Sequence, residues 1–151
     1  MTQLNVPDLP ERPVDRALAQ LSGKAIEILR SEQPALFQEV VMAFNGKRFD
    51  VALFGEGKFH VAVDSGEIQV LPFVMGSAVA YRVGGYPSAI ADIAEGRLTP
   101  LEGFFRAAIV AFGSAKDLSV GHAYILKLTK FAQSSRAMQN LVAEFKTLCK
   151  L

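Results

Sequence analysis

The sequence predicts an α+β domain: an antiparallel-dominated, five-stranded sheet covered on one face by about five helices. Three observations carry that prediction. Between Arg48 and Leu71 apolar and polar residues alternate with turn residues between the runs, the signature of half-buried strands. Between Pro87 and Ser114 two short capped helical stretches lead into a brief apolar run ending at Gly113. Both ends of the chain carry longer segments with apolar residues at helical spacing.

In chain order, residues 1–13 hold Pro7, Pro10 and Pro13 among charged residues and read as an extended arm. Residues 14–151 form one domain. A first helix is expected from Val14 to Arg30, with Leu18, Leu21, Ala25, Ile28 and Leu29 as its stripe. Pro34 opens a further turn over Ala35–Val41, which could instead pass into a strand at Val40–Phe44.

The meander follows. Phe49, Val51 and Leu53 share one face of a strand at Arg48–Phe54; Phe59, Val61 and Val63 do the same at Lys58–Asp64. Asp64-Ser65-Gly66 is a hairpin signal before Glu67–Leu71. Val79, Tyr81 and Val83 suggest one more strand before Gly84-Gly85. Next, Ser88 after Pro87 is placed to cap a short helix that Gly96 ends. Thr99 caps a second, with Pro100 in its first turn and Glu102 three residues after the cap. Ala107–Phe112 is a buried strand, and Leu118–Phe131 a helix apolar on more than one side. Ser134 or Ser135 caps the last helix, whose stripe is Met138, Leu141, Val142, Phe145 and Leu148.

Composition excludes several functions. Sixteen basic against fifteen acidic residues leave a net charge of +1, no footprint for nucleic acid. The single Cys149 excludes a disulfide framework within the chain and suggests a reducing, cytoplasmic compartment. The uncharged run Ile68–Tyr81 falls short of the ~20 apolar residues of a spanning helix. Gly55–His60 begins like a dinucleotide loop, but no helix follows. His60 and His122 stand far apart, without a carboxylate or Cys at metal spacing. Asp92 and Glu95 read as a solvated helix face before they read as a carboxylate pair. No catalytic residue, metal site or cofactor is expected, and the chain is expected not to be an enzyme. The weakest alternative is an enzyme in which His60 or Tyr81 meets Asp92.

The stretch 87–114 resembles the sterol-carrier-protein family, small lipid-binding domains with an apolar tunnel. The matching residues are Gly96, Leu98, Thr99, Pro100, Phe104, Ile109 and Gly113. Two positions depart: the family usually has Gly then a basic residue where this chain has Ala107-Ala108, and an acidic residue or Asn at Ser114. The runs FDVALFGEG and KFHVAVDSGEIQV look like the family's opening meander, so the resemblance spans roughly residues 36–130.

The resemblance implies a tunnel between the sheet and the later helices. It also implies non-catalytic binding and transfer of a fatty acyl chain, acyl-CoA, sterol or similar lipid. The expected lining, from the apolar stripes and the family layout, is Ile90, Ile93, Phe104, Phe105, Ile109, Tyr124, Met138, Leu141, Val142 and Phe145. A ~16-carbon chain offers roughly 12 kcal/mol of gross burial, at ~0.8 kcal/mol per methylene. Ordering costs reduce this to micromolar affinity with broad specificity. Such a carrier would be a monomer or homodimer with an apolar small-molecule ligand, transient membrane contact and no nucleic acid. The alternative reading is an accessory module docking a lipid- or quinone-pathway enzyme assembly, as some bacterial members of the family are thought to do.

Overall fold

The computed structural model describes residues 12–151; of the arm expected at residues 1–13, residues 1–11 lie outside them, and Pro13 already opens the first helix. Two helices come first, α1 (Pro13–Glu32) and α2 (Pro34–Phe44). Proline stands in the first turn of each, where its missing N–H costs nothing and its φ is already helical. The possible strand at Val40–Phe44 does not form: Phe37, Val40, Val41 and Phe44 are buried on one helical stripe.

The meander is β1 (Arg48–Leu53), β2 (Gly57–Asp64) and β3 (Glu67–Pro72). Ser65 and Gly66 both take positive φ, 52° and 79°, the two-residue turn that matches strand twist. Then come β4 (Tyr81–Gly85), α3 (Pro87–Ala94), α4 (Pro100–Phe105), β5 (Ile109–Phe112), α5 (Ala115–Ser134) and α6 (Arg136–Leu148). The sheet order is β3-β2-β1-β4-β5.

One expectation is corrected here. The sheet is mixed rather than antiparallel-dominated, because β1 and β4 run parallel at its centre, Phe49 beside Tyr81 and Val51 beside Val83. The cause is the crossing segment 73–80. Phe73 packs its ring on His60 at 4.9 Å, and Lys58 Nζ lies 4.1 Å from the centre of that ring. Ala80 N–H then reaches the Arg48 carbonyl at 2.9 Å. The chain thus passes over the face away from the helices and enters β4 beside the start of β1. His60 is on that outer face as expected, yet it is only 1% exposed. Its Nε2 sits 2.6 Å from Asp50 Oδ1, a close polar contact in which neither atom has hydrogen-bond geometry.

The other face carries Phe49, Val51, Val61, Val63, Tyr81 and Val83, which the pairing register places side by side. α1 packs over β2 and β3 and against α2 and α6, and α4 against β5. Leu18 and Phe37, each 2% exposed, are the deepest aliphatic and aromatic side chains of this core.

Cap chemistry mostly follows the sequence. Thr99 Oγ1 accepts from Glu102 N–H, Ser114 Oγ from Asp117 N–H and Ser135 Oγ from Met138 N–H. Ser88 does not cap: Tyr86 holds that position, with Pro87 in the first turn and Ser88 inside α3. Gly96 ends that region at φ 83°.

Candidate functional site

An aromatic cluster occupies the space between the sheet and the later helices. Phe49 and Tyr81, neighbours across the β1–β4 pair, stack at 4.6 Å with 6° between their planes. Phe44 meets Phe49, Tyr81 and Tyr124 edge-on at 5.4, 5.8 and 5.5 Å, the arrangement that ring quadrupoles favour. Val120, Tyr124, Leu128 and Met138 pack against this cluster from α5 and α6.

α5, like α1, fully buries two of its 20 residues, but in α5 both, Phe131 and Ala132, lie at the C-terminal end, whereas Leu18 and Leu29 are spread along α1. Leu118, Val120, Tyr124, Ile125 and Leu128 are half-buried, and Leu126 is 47% exposed. At its other end three polar contacts hold it. Tyr81 Oη donates to the Asp117 carbonyl at 2.9 Å, Lys47 Nζ donates to Asp117 Oδ1 at 3.3 Å, and Ser114 caps. Hydrogen bonding from Ser114, then from Lys47, holds the Asp117 carboxyl below its usual range. Burial pushes the Tyr81 phenol up, and the neighbouring Asp117 adds to it. A side chain at Gly121 would stand 3.5 Å from the Tyr81 ring, so the helix backbone lies close over the ring. His122 Nε2, on the flank of the same helix, is buried and has no hydrogen-bond partner among the described residues.

Most of the expected lining residues fall in three separate clusters, with Leu141 and Val142 outside them. Tyr124 and Met138 belong to the aromatic cluster. Ile93 and Ile109 are buried with Ala89 and Leu98 near α4, with Ile90 and Phe104 packed on them. Phe145, again with Ile90, packs on a third group around Leu18 and Phe59. Leu141 and Val142 are buried on α6.

Phe105 is a correction. It is 82% exposed and stands outside the interior. Phe104 and Phe105 are consecutive on a helix, so about 100° separates them and one faces out when the other packs in. Phe44, Phe49 and Tyr81, the centre of the aromatic cluster, are not among the expected lining residues. Phe49 and Tyr81 carried a signal, the alternation of their strands. Phe44 was hidden by the ambiguity between helix and strand.

Concavities on the surface of the described residues include two beside α1. One of about 660 Å³ lies between α1 and α6, beside Lys24, Ile28, Leu141 and Glu144. Another of about 300 Å³ lies between α1 and β3, beside Ala19, Ile26, Ile68 and Val70. Apart from Leu141, none of the expected lining residues borders them.

Other chemistry is sparse. Among the described residues no group of three or more His, Cys, Asp or Glu side chains could hold a metal ion, and no helix is long and apolar enough to cross a membrane. Asp92 and Glu95 are tied to Arg97 at 2.8 and 2.7 Å, and Lys146 reaches Glu95 at 3.0 Å. Hydrogen bonds from Arg97 and then Lys146 hold the Glu95 carboxyl down to about 2. Cys149 is buried, and burial raises its thiol pKa.

Neither a protein-family model nor a curated protein sequence matches the chain. Solved structures do match. A structure titled UbiJ-SCP2 ubiquinone synthesis protein aligns at TM-score 0.57 and 16% identity, over 85% of this chain and 99% of its own. The sterol carrier protein domain 2 of Helicoverpa armigera also gives 0.57 and 16%, over 84% and 96%. A crystal structure of sterol carrier protein 2 gives 0.52 and 14%, over 78% and 95%. These likenesses show the fold: the chain has the sterol-carrier-protein fold.

Proposed function

We propose that the domain binds an apolar lipid without catalysing a reaction on it and carries it between donors and acceptors. The observation that carries this reading is α5. A helix apolar on more than one side lies over an aromatic wall and buries itself fully at one end only. Lifting its first turns from Phe44, Phe49 and Tyr81 would open an apolar slot between helix and sheet, where the tunnel is expected. An acyl chain entering there would cover the half-exposed faces of Val120, Tyr124 and Leu128, whose transfer from water drives the binding. The unpartnered His122 Nε2 on the helix flank is the polar atom that the lipid's head would reach. Support also comes from the fold, which is shared with proteins named as sterol carriers. The reading includes no catalytic residue and places the protein in the cytoplasm.

Native mass spectrometry of the freshly purified chain, followed by organic extraction, tests the reading directly. A co-purifying lipid is expected. With a fluorescent acyl probe, Leu128→Asp should abolish binding, while Phe105→Asp should leave it unchanged. Equal affinity in a folded Leu128→Asp protein would reject the slot.

A second reading has its own observation. Val74 and Met75, on the crossing segment, are 53% and 71% exposed, and one similar structure is named a ubiquinone synthesis protein. An accessory role in such an assembly would show as a partner protein, rather than a lipid, co-purifying with the chain.

A further inference from the structure

The two edges of the sheet are built differently. β3 carries Glu67, Gln69 and Pro72 and has α1 packed on it, devices that blunt an edge against pairing. β5 lacks the charges and the proline, although α4 packs on its helix-bearing face at Ile109. From Ala107 to Gly113 there is no charge and no proline, and β4 is its only neighbour among the described strands.

The direction of its free groups follows from one bond. Tyr86 N–H donates to the Ala108 carbonyl at 3.0 Å, one step beyond the Gly85–Ile109 pair of the β4–β5 ladder. In an antiparallel ladder alternate residues exchange both bonds with the neighbour. Ala108, Val110 and Phe112 therefore turn N–H and C=O toward β4, and Ile109 and Ala111 turn theirs to the open side.

We propose that this edge is a homodimer interface, with β5 pairing antiparallel to β5 of a second copy about a two-fold axis through Val110. The side-chain pattern is self-complementary in that register. On the helix-bearing face Ile109 meets Ala111 of the second copy, and the symmetry repeats the contact. On the outer face Phe112 meets Ala108 and Val110 meets itself. Each larger side chain thus faces an alanine, apart from the small valine pair on the axis. The outward N–H and C=O groups of Ile109 and Ala111 all find partners, and Phe112, now 62% exposed, is covered. A register shifted by one residue would set helix-face against outer-face side chains. An axis through Ala111 would draw in Gly113, beyond the end of the strand. The net charge of +1 sets up little repulsion between copies. A peptide strand from another protein is the competing occupant, but it has no reason to repeat this large-to-small pattern.

Sedimentation velocity of the full chain, across the micromolar-to-millimolar range, tests the interface. A monomer–dimer equilibrium is expected. Val110→Lys, on the outer face, should shift it to monomer with an unchanged circular dichroism spectrum. Val110→Cys keeps a small side chain and places two thiols across the axis, so mild oxidation should give a disulfide dimer mapped to residue 110. A native chain that stays monomeric throughout the range would overturn the proposal. So would a Val110→Lys protein that dimerises like the native one, or a dimer of Val110→Cys that does not crosslink at that position.

Discussion

The proposed opening of α5 can be tested with one oxygen atom. In Tyr81→Phe the ring stays where it is, 3% exposed and stacked on Phe49, so the core loses no apolar volume. What goes is the hydrogen bond from Tyr81 Oη to the Asp117 carbonyl, at the first turn of α5. A neutral hydrogen bond contributes about 1 kcal/mol net. The carbonyl left behind still accepts the helical hydrogen bond from the Gly121 N–H, so the loss should not exceed that figure. If α5 opens locally, about 1 kcal/mol raises the open population roughly fivefold. Hydrogen exchange read by mass spectrometry resolves this by position. Amides between Leu118 and Leu128 should exchange about fivefold faster, while those around the buried Phe131 and Ala132 should not change. Binding of an acyl probe should speed up by a similar factor if opening limits entry. Two results would refute the reasoning: faster exchange spread over the whole chain, or none in the first half of α5 in a variant that is measurably less stable.

Three further outcomes follow from particular contacts. Ala107 takes φ 54°, a left-handed conformation costing a non-glycine residue about 1–2 kcal/mol, of which glycine's greater chain entropy offsets part. Ala107→Gly should therefore stabilise the domain by about 0.5–1 kcal/mol in urea unfolding. Leu18→Ala removes a side chain 2% exposed and should cost about 2–5 kcal/mol at an unchanged denaturant slope. For Glu95 the folded carboxyl is held down to about 2 from 4.5. Its contribution is therefore present above pH 4.5 and lost as pH falls toward 2. Glu95→Gln should be less stable than the native chain at neutral pH, and the difference should vanish in thermal melts near pH 2.

Much of this protein is determined by its sequence alone, because the governing interactions are local. Period-two alternation fixed the faces of β1, β2 and β3, and both residues of the Ser65-Gly66 turn suit positive φ. The hydroxyls of Thr99, Ser114 and Ser135 lie three residues before the N–H groups they cap. Three features were decided only by the tertiary structure. The parallel β1–β4 pair depends on where segment 73–80 crosses, and nothing within that segment encodes the far side of the sheet. Phe104 and Phe105 are chemically equivalent in the sequence; the packing of α4 on β5 chose which is buried. The aromatic cluster beneath α5 is built from Phe44, Phe49, Tyr81 and Tyr124, drawn from a helix, two strands and a second helix. Apolar burial has no direction of its own, so a side chain's hydrophobicity says that it will be covered and leaves to the fold what covers it.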